Sequence, residues 1–193
     1  MISLGVDLSA LDRLANGFAS AGDQAPHAIR RGLNRTGDKV RTQVKRALVA
    51  QTGLKAGVIN RAVKTKRASY GHLAYELKTR GGDIALKFFA ARETRRGVSA
   101  APHGQRQIFP GDFIKGGRFP NRVGLKMGGQ VFKRTGPGRT PIEKQKSGVI
   151  IPEEMVSGES ERAFYAEANK HLVDDVAREL YAILAGVAPR GRG

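Results

Sequence analysis

The chain has no cysteine and no tryptophan among its 193 residues, and only 6% of it is aromatic. Without cysteine there is no disulfide, no thiolate nucleophile and no thiolate metal site, and the absence fits synthesis in a reducing cytosol. No run of about 18 apolar residues occurs, so no membrane-spanning helix is expected. The opening residues MISLGVDLSALDRLANG lack a basic start, and Asp7 and Asp12 interrupt their apolar run, so they do not read as a secretory signal. Histidine is equally sparse. His27, His72, His103 and His171 lie tens of residues apart with no HxxxH or HExxH spacing, so no metal is expected.

Acidic residues are scarce where basic ones are dense. Residues 30–146 hold 28 Lys and Arg against six acids (Asp38, Glu76, Asp83, Glu93, Asp112 and Glu143), a balance of +22 within a chain of net charge +17. General acid–base chemistry needs carboxylates or histidines in differentiated pairs, and these six form no paired motif. No serine sits in a GxSxG elbow. GGQVFKRT (residues 128–135) resembles a phosphate loop only in passing. Its lysine follows a phenylalanine in an apparent strand, whereas a phosphate cradle needs free N–H groups opening a helix. Neither an enzyme nor a cofactor is therefore expected. The basic middle and the acidic C-terminal segment imply contact with a polyanion, or pairing of opposite surfaces within or between copies of the chain.

Apolar spacing divides the chain. A short helix is expected over residues 8–18. A longer one, capped by Asp23 with Pro26 in its first turn, should run to about Ala50 on a stripe of Ala25, Ile29, Leu33, Val40, Val44, Ala47 and Leu48. Gly37 within it costs about 1 kcal/mol relative to alanine and suggests a kink or a close crossing. Thr52 and Gly53 should close it before a short helix over residues 54–63, and KTKR (64–67) reads as a solvated turn. Residues 70–79 alternate as a strand, and the Arg80-Gly81-Gly82-Asp83 turn should pair them with 84–90 in a hairpin. Residues 92–104 and 116–129 read as exposed basic loops. Between them 105–115 should be a strand bent at Pro110-Gly111, and 130–134 a second, short one. Residues 141–153 should be extended. The last helix, capped by Ser157 or Ser160, follows the stripe Phe164, Ala168, Leu172, Val176, Leu180, Ile183 and Leu184, with Glu161, Glu167, Asp174, Asp175 and Glu179 on its other face.

The expected fold is α+β: an antiparallel sheet in the middle of the chain, packed by a long N-terminal helix and a C-terminal helix, with long basic loops. One domain over residues 1–193 is expected, with 1–22 an appendage and 186–193 a flexible tail.

Five segments in order, RGLNRTGDKVRTQVKRALVAQTGL (31–54), ALKFFAARETRRGVSAAP (85–102), IFPGDFIKGG (108–117), VFKRTGPGRTPIEKQ (131–145) and VIIPEEMV (149–156), resemble the prophage minor tail protein Z family of lambda-type tail-completion proteins. The resemblance implies a structural virion protein of a tailed bacteriophage or prophage, made in the host bacterial cytoplasm. It would complete the tail at the head–tail joining region, or neck, and support head–tail attachment and DNA delivery. Implied partners are copies of itself in a ring, with a hexamer the natural guess, together with the tail terminator and head-side neck proteins. The basic residues Arg92, Arg95, Arg96, Lys115, Arg118, Arg122, Lys126, Lys133, Arg134 and Arg139 are candidates to contact those partners, or genomic DNA passing through a channel. The alternative is a nonspecific nucleic-acid-binding protein acting through the same segment, since phosphate contact needs little more than clustered Lys and Arg. Against it, no recognisable nucleic-acid-binding motif is present.

Overall fold

The computed structural model describes residues 2–3, 18–19 and 21–187. The helix expected over 8–18 and most of the 186–193 tail lie outside the described residues. The fold is α+β, and the chain divides into two compact units. One draws on Met1–Lys45, Val63–Thr79 and Met155–Gly193, the other on Arg46–Ala62 and Arg80–Glu154.

The first unit is built around helix α1 (Ala25–Thr52), whose first 21 residues belong to it, and helix α4 (Gly158–Leu184). Leu33, Val40 and Val44 of α1 and Phe164, Ala168, Leu172, Val176 and Leu180 of α4 are buried, as the helical spacing predicted. The helices run antiparallel. Ala28 packs with Leu180, while Gly32 comes so close to Val176 that a Cβ there would stand 2.7 Å from the Val176 Cα.

Charge locks the same contact. Asp175 and Glu179 are almost fully buried, one helical turn apart, facing residues spaced by four on α1. Arg31 Nε and Arg35 Nη2 reach Glu179 at 2.8 and 3.1 Å, and Lys39 Nζ reaches Asp175 at 2.8 Å. Thr36 Oγ1 donates a further bond to Asp175 at 2.9 Å. These two acids were expected on the outer face of the last helix. They turn inward because α1 carries a row of cations one turn apart that satisfies them.

A three-stranded antiparallel sheet completes this unit, in the order β1 (Ile2–Ser3), β3 (Glu76–Lys78), β2 (Lys64–Lys66). Tyr75 and Leu77 point into the core. The Tyr75 ring lies over Gly37, where any Cβ would collide with it, and Tyr75 Oη donates to Asp38 at 2.9 Å. Burial, reinforced by that bond, pushes the Tyr75 hydroxyl up to about 12. The glycine inside α1 thus marks a close approach of the sheet.

The expected hairpin of 70–79 with 84–90 does not form. β3 pairs instead with β2, in the register Lys64↔Lys78, Thr65↔Leu77, Lys66↔Glu76, so KTKR is an edge strand and not a turn. Residues 84–90 belong to the second unit. Ala85 bridges Lys146, and Ile84 N–H donates to the Val149 carbonyl at 2.9 Å. The Asp83 carboxylate holds this junction by accepting the Ser147 and Gly148 N–H groups, each at 3.0 Å. Leu86–Phe88 then forms a 3-10 turn, in which residues three apart share a face, so Leu86 and Phe89 are buried while Phe88 is exposed.

In the second unit α1 ends at Thr52, whose Oγ1 donates to the Leu48 carbonyl, and Gly53 takes the left-handed conformation that closes the helix. Helix α2 (Ala56–Ala62) follows. The segment 92–104, expected as a loop, contains strands β4 (Arg92–Thr94) and β5 (Gly97–Ala100), with Val98 and Ala100 buried. β6 (Gln107–Pro110) lies against β5 on the sheet edge and ends at the predicted Pro110-Gly111 bend. Two two-stranded pieces follow: β7 (Lys115–Gly116) with β8 (Val123–Gly124), within the segment expected as loop, and β9 (Phe132–Arg134) with β10 (Ile142–Lys144). Residues 151–153, expected as extended, open helix α3 (Ile151–Met155).

Replacing Asp175 with Ala strands Lys39 and Thr36 without their acceptor. Urea unfolding should show a loss of about 2–4 kcal/mol. Gly32→Ala should lower stability by about 1–3 kcal/mol through overpacking against Val176, and an undiminished midpoint in either variant would refute this account of the helix contact.

Candidate functional site

All ten basic residues singled out from the sequence lie in the second unit. Its short strands bury few side chains, so its loops depend on individual polar contacts. Glu93, on β4, is the main one. Its Oε2 accepts the Ile114 and Lys115 N–H groups at 3.3 and 3.0 Å, and its Oε1 pairs with Arg122. The carboxylate therefore ties the β4–β5 hairpin to the start of β7 and to the strand connection that returns to β8. Arg122, expected among the contact residues, is largely buried in that ion pair and serves the fold.

The other nine cations are exposed. Arg95 and Arg96 form the β4–β5 turn, with Arg92 just before it. Lys115 lies on β7, Arg118 in the β7–β8 connection, and Lys126 just beyond β8. Lys133 and Arg134 are on β9, and Arg139 is in the β9–β10 loop.

The structure brings two of them together. Arg134 Nη1 donates to the carbonyls of Gly138 and Arg139, at 3.3 and 3.0 Å, and its guanidinium sits 5.0 Å over the Phe113 ring. Phe113 is itself bridged to Phe132 through both backbone N–H groups, at 2.9 and 2.8 Å. Arg134 and Arg139 thereby line a cleft of about 690 Å³ between the β7–β8 and β9–β10 hairpins, with Leu125, Met127 and Ile142 supplying apolar walls. Arg92, Arg95 and Arg96 do not line it.

Sequence reasoning missed Glu93, Asp112 and the apolar walls of the cleft. Glu93 carried a signal, since an isolated acid amid dense base is a candidate for internal pairing. Asp112 carried none. It is 5% exposed and its Oδ2 has no hydrogen-bond partner among the described residues. Burial pushes its pKa up from 3.8 to about 6, against the opposing pull of Lys133. Among the described residues no cluster of three His, Asp or Glu could hold a metal ion, and no helix is long and apolar enough to cross a membrane.

Because the folded Asp112 binds its proton more tightly than the unfolded one does, its contribution to stability is fully present below pH 3.8 and is lost as pH rises through about 6. Asp112→Asn should raise the urea midpoint at pH 7 and leave it nearly unchanged at pH 4. Equal shifts at both pH values would mean that the carboxyl is not buried as a proton-binding group.

The chain matches no protein-family model, no curated protein and no solved structure.

Proposed function

We propose that the chain is a structural virion protein of a tailed bacteriophage or prophage that completes the tail at the neck and supports head–tail attachment and DNA delivery. The observation that carries this reading is the ordered series of five segments between residues 31 and 156 that resembles the tail-completion family. A protein with that role works by binding other proteins, and long surface hairpins rich in exposed cations suit such contacts better than chemistry on a small substrate.

Two acids of the last helix are withdrawn from any contact between copies. Asp175 and Glu179 are satisfied by Arg31, Arg35 and Lys39 of the same chain, so they are not available to meet a neighbouring copy. The ring, the hexameric count and the tail-terminator and head-side partners rest on the resemblance alone.

The second reading, nonspecific nucleic-acid binding, is favoured by the exposed cations of the second unit, the nine singled out above among them. Arg92, Arg95, Arg96 and Arg118 are well placed for phosphate contact, either alone or as the lining of a DNA channel.

Light scattering across a salt series, with and without duplex DNA, separates the readings. A mass above 20.8 kDa that does not depend on DNA, or a monomer that assembles only with tail components, is the outcome expected for a neck protein. A monomer whose tight DNA binding falls steeply with salt would replace that reading with the second. Charge reversal of Arg95, Arg96 and Arg118 together should reduce DNA delivery; intact assembly and delivery would sink the channel hypothesis.

A further inference from the structure

We infer that the cleft between the β7–β8 and β9–β10 hairpins is a docking groove for an extended acidic segment of a partner protein, one that places an aliphatic side chain between its carboxylates. This deepens the assembly reading and rests on it for the source of the segment.

Three features of the cleft define its ligand. The first is size: about 690 Å³ falls within the 300–1,000 Å³ of ordinary ligand sites, far more than a lone phosphate fills. The second is its mixed lining. Leu125, Met127 and Ile142 offer apolar surface that a purely ionic ligand would leave unsatisfied, and the flexible thioether of Met127, nearly half exposed, can adapt to varied side chains. The third is unmatched charge. Arg134 spends Nη1 on two carbonyls of its own loop, and neither it nor Arg139 meets a carboxylate among the described residues. The loop bonds hold the Arg134 guanidinium in place, so a ligand carboxylate meets a donor that is already oriented.

Backbone is also within a ligand's reach. Gly117 and Gly138 line the same space with no side chain over the main chain, whereas Gly116 is covered by the Leu125 side chain. An extended peptide can approach main chain there while alternate side chains turn to the apolar wall and to the arginines.

Single-stranded nucleic acid fits less well. Base stacking needs an open aromatic face, whereas Phe113, the aromatic lining the cleft, is 9% exposed and has Arg134 over its ring. The exposed Phe119 of the β7–β8 connection is not part of the lining.

The test uses the full chain and fluorescence anisotropy. The probes are a labelled seven-residue peptide alternating Glu with Leu and Val, its counterparts with Lys for Glu or Ser for Leu and Val, and a labelled ten-nucleotide oligo(dT). The acidic apolar peptide should bind most tightly. Arg139→Gln and Met127→Gln, both at exposed positions and checked for folding by circular dichroism, should each weaken it about tenfold. Equal binding of the Ser or Lys counterpart, or an acidic peptide unaffected by both substitutions, overturns the groove. Tighter binding of oligo(dT) that is insensitive to Met127→Gln overturns it in favour of nucleic acid. The solution mass of the same samples keeps the two proposals apart. Self-assembly without peptide binding sinks the groove and spares the assembly reading, whereas peptide binding by a protein that assembles neither alone nor with tail components does the reverse. A mass that falls in Arg139→Gln overturns the assignment to a partner by making the occupant a second copy.

Discussion

Two buried carboxylates decide how the long helices of the first unit meet. Asp175 and Glu179 leave water only because Arg31, Arg35, Lys39 and Thr36 stand opposite them at the spacing of helical turns. Removing charges from water costs several kcal/mol per ion, so such pairs add less to net stability than their number suggests. Their effect is on register. Sliding α4 by one turn would leave an acid facing the wrong residue and would move Val176 away from Gly32, where two backbones come together for want of a side chain. Polar and steric constraints therefore choose the same alignment, and Gly37 under the Tyr75 ring fixes the approach of the sheet in the same way.

The second unit works under a different constraint. Its strands are two to four residues long, too short to hold a fold by ladder hydrogen bonds alone. Carboxylates supply part of what the ladders lack. Asp83 gathers the N–H groups of Ser147 and Gly148, and Glu93 gathers those of Ile114 and Lys115 together with Arg122. Where acids are so few, using them internally leaves most of the surrounding cations unneutralised. The exposed positive charge of this unit is thus partly a consequence of how its loops are fastened.

The helices were legible because burial imposes a period that the residues record. Phe164, Ala168, Leu172, Val176 and Leu180, and Leu33, Val40, Val44 and Leu48, are buried as read, while Ala47 is only partly buried and Leu184, read on the same stripe as Phe164, is exposed. Pro110 at the end of an edge strand and Gly53 at the helix terminus were legible for local reasons, a missing donor and a positive φ. Strand pairing was not. The Gly81-Gly82 turn suggested a hairpin, yet residues on either side of it joined different units, because the partners of 84–86 lie some 60 residues downstream, at 145–149. In the candidate site, charge marked the right residues but not their roles. Arg122 and Arg134 look alike in sequence; the first is largely buried against Glu93, and the second stands over an aromatic ring lining a cleft.

The order in which the chain contributes to its units has a consequence for synthesis. Every residue of the second unit lies at or before Glu154, whereas the first unit needs Met155 onward. On a ribosome every residue of the second unit leaves the tunnel ahead of α4. Until α4 emerges, the row of Arg31, Arg35 and Lys39 has no acids to meet, and the apolar stripe beside it has nothing to cover it. The nascent protein therefore passes through a stage more cationic and more adhesive than the finished one, and the last helix brings that stage to an end.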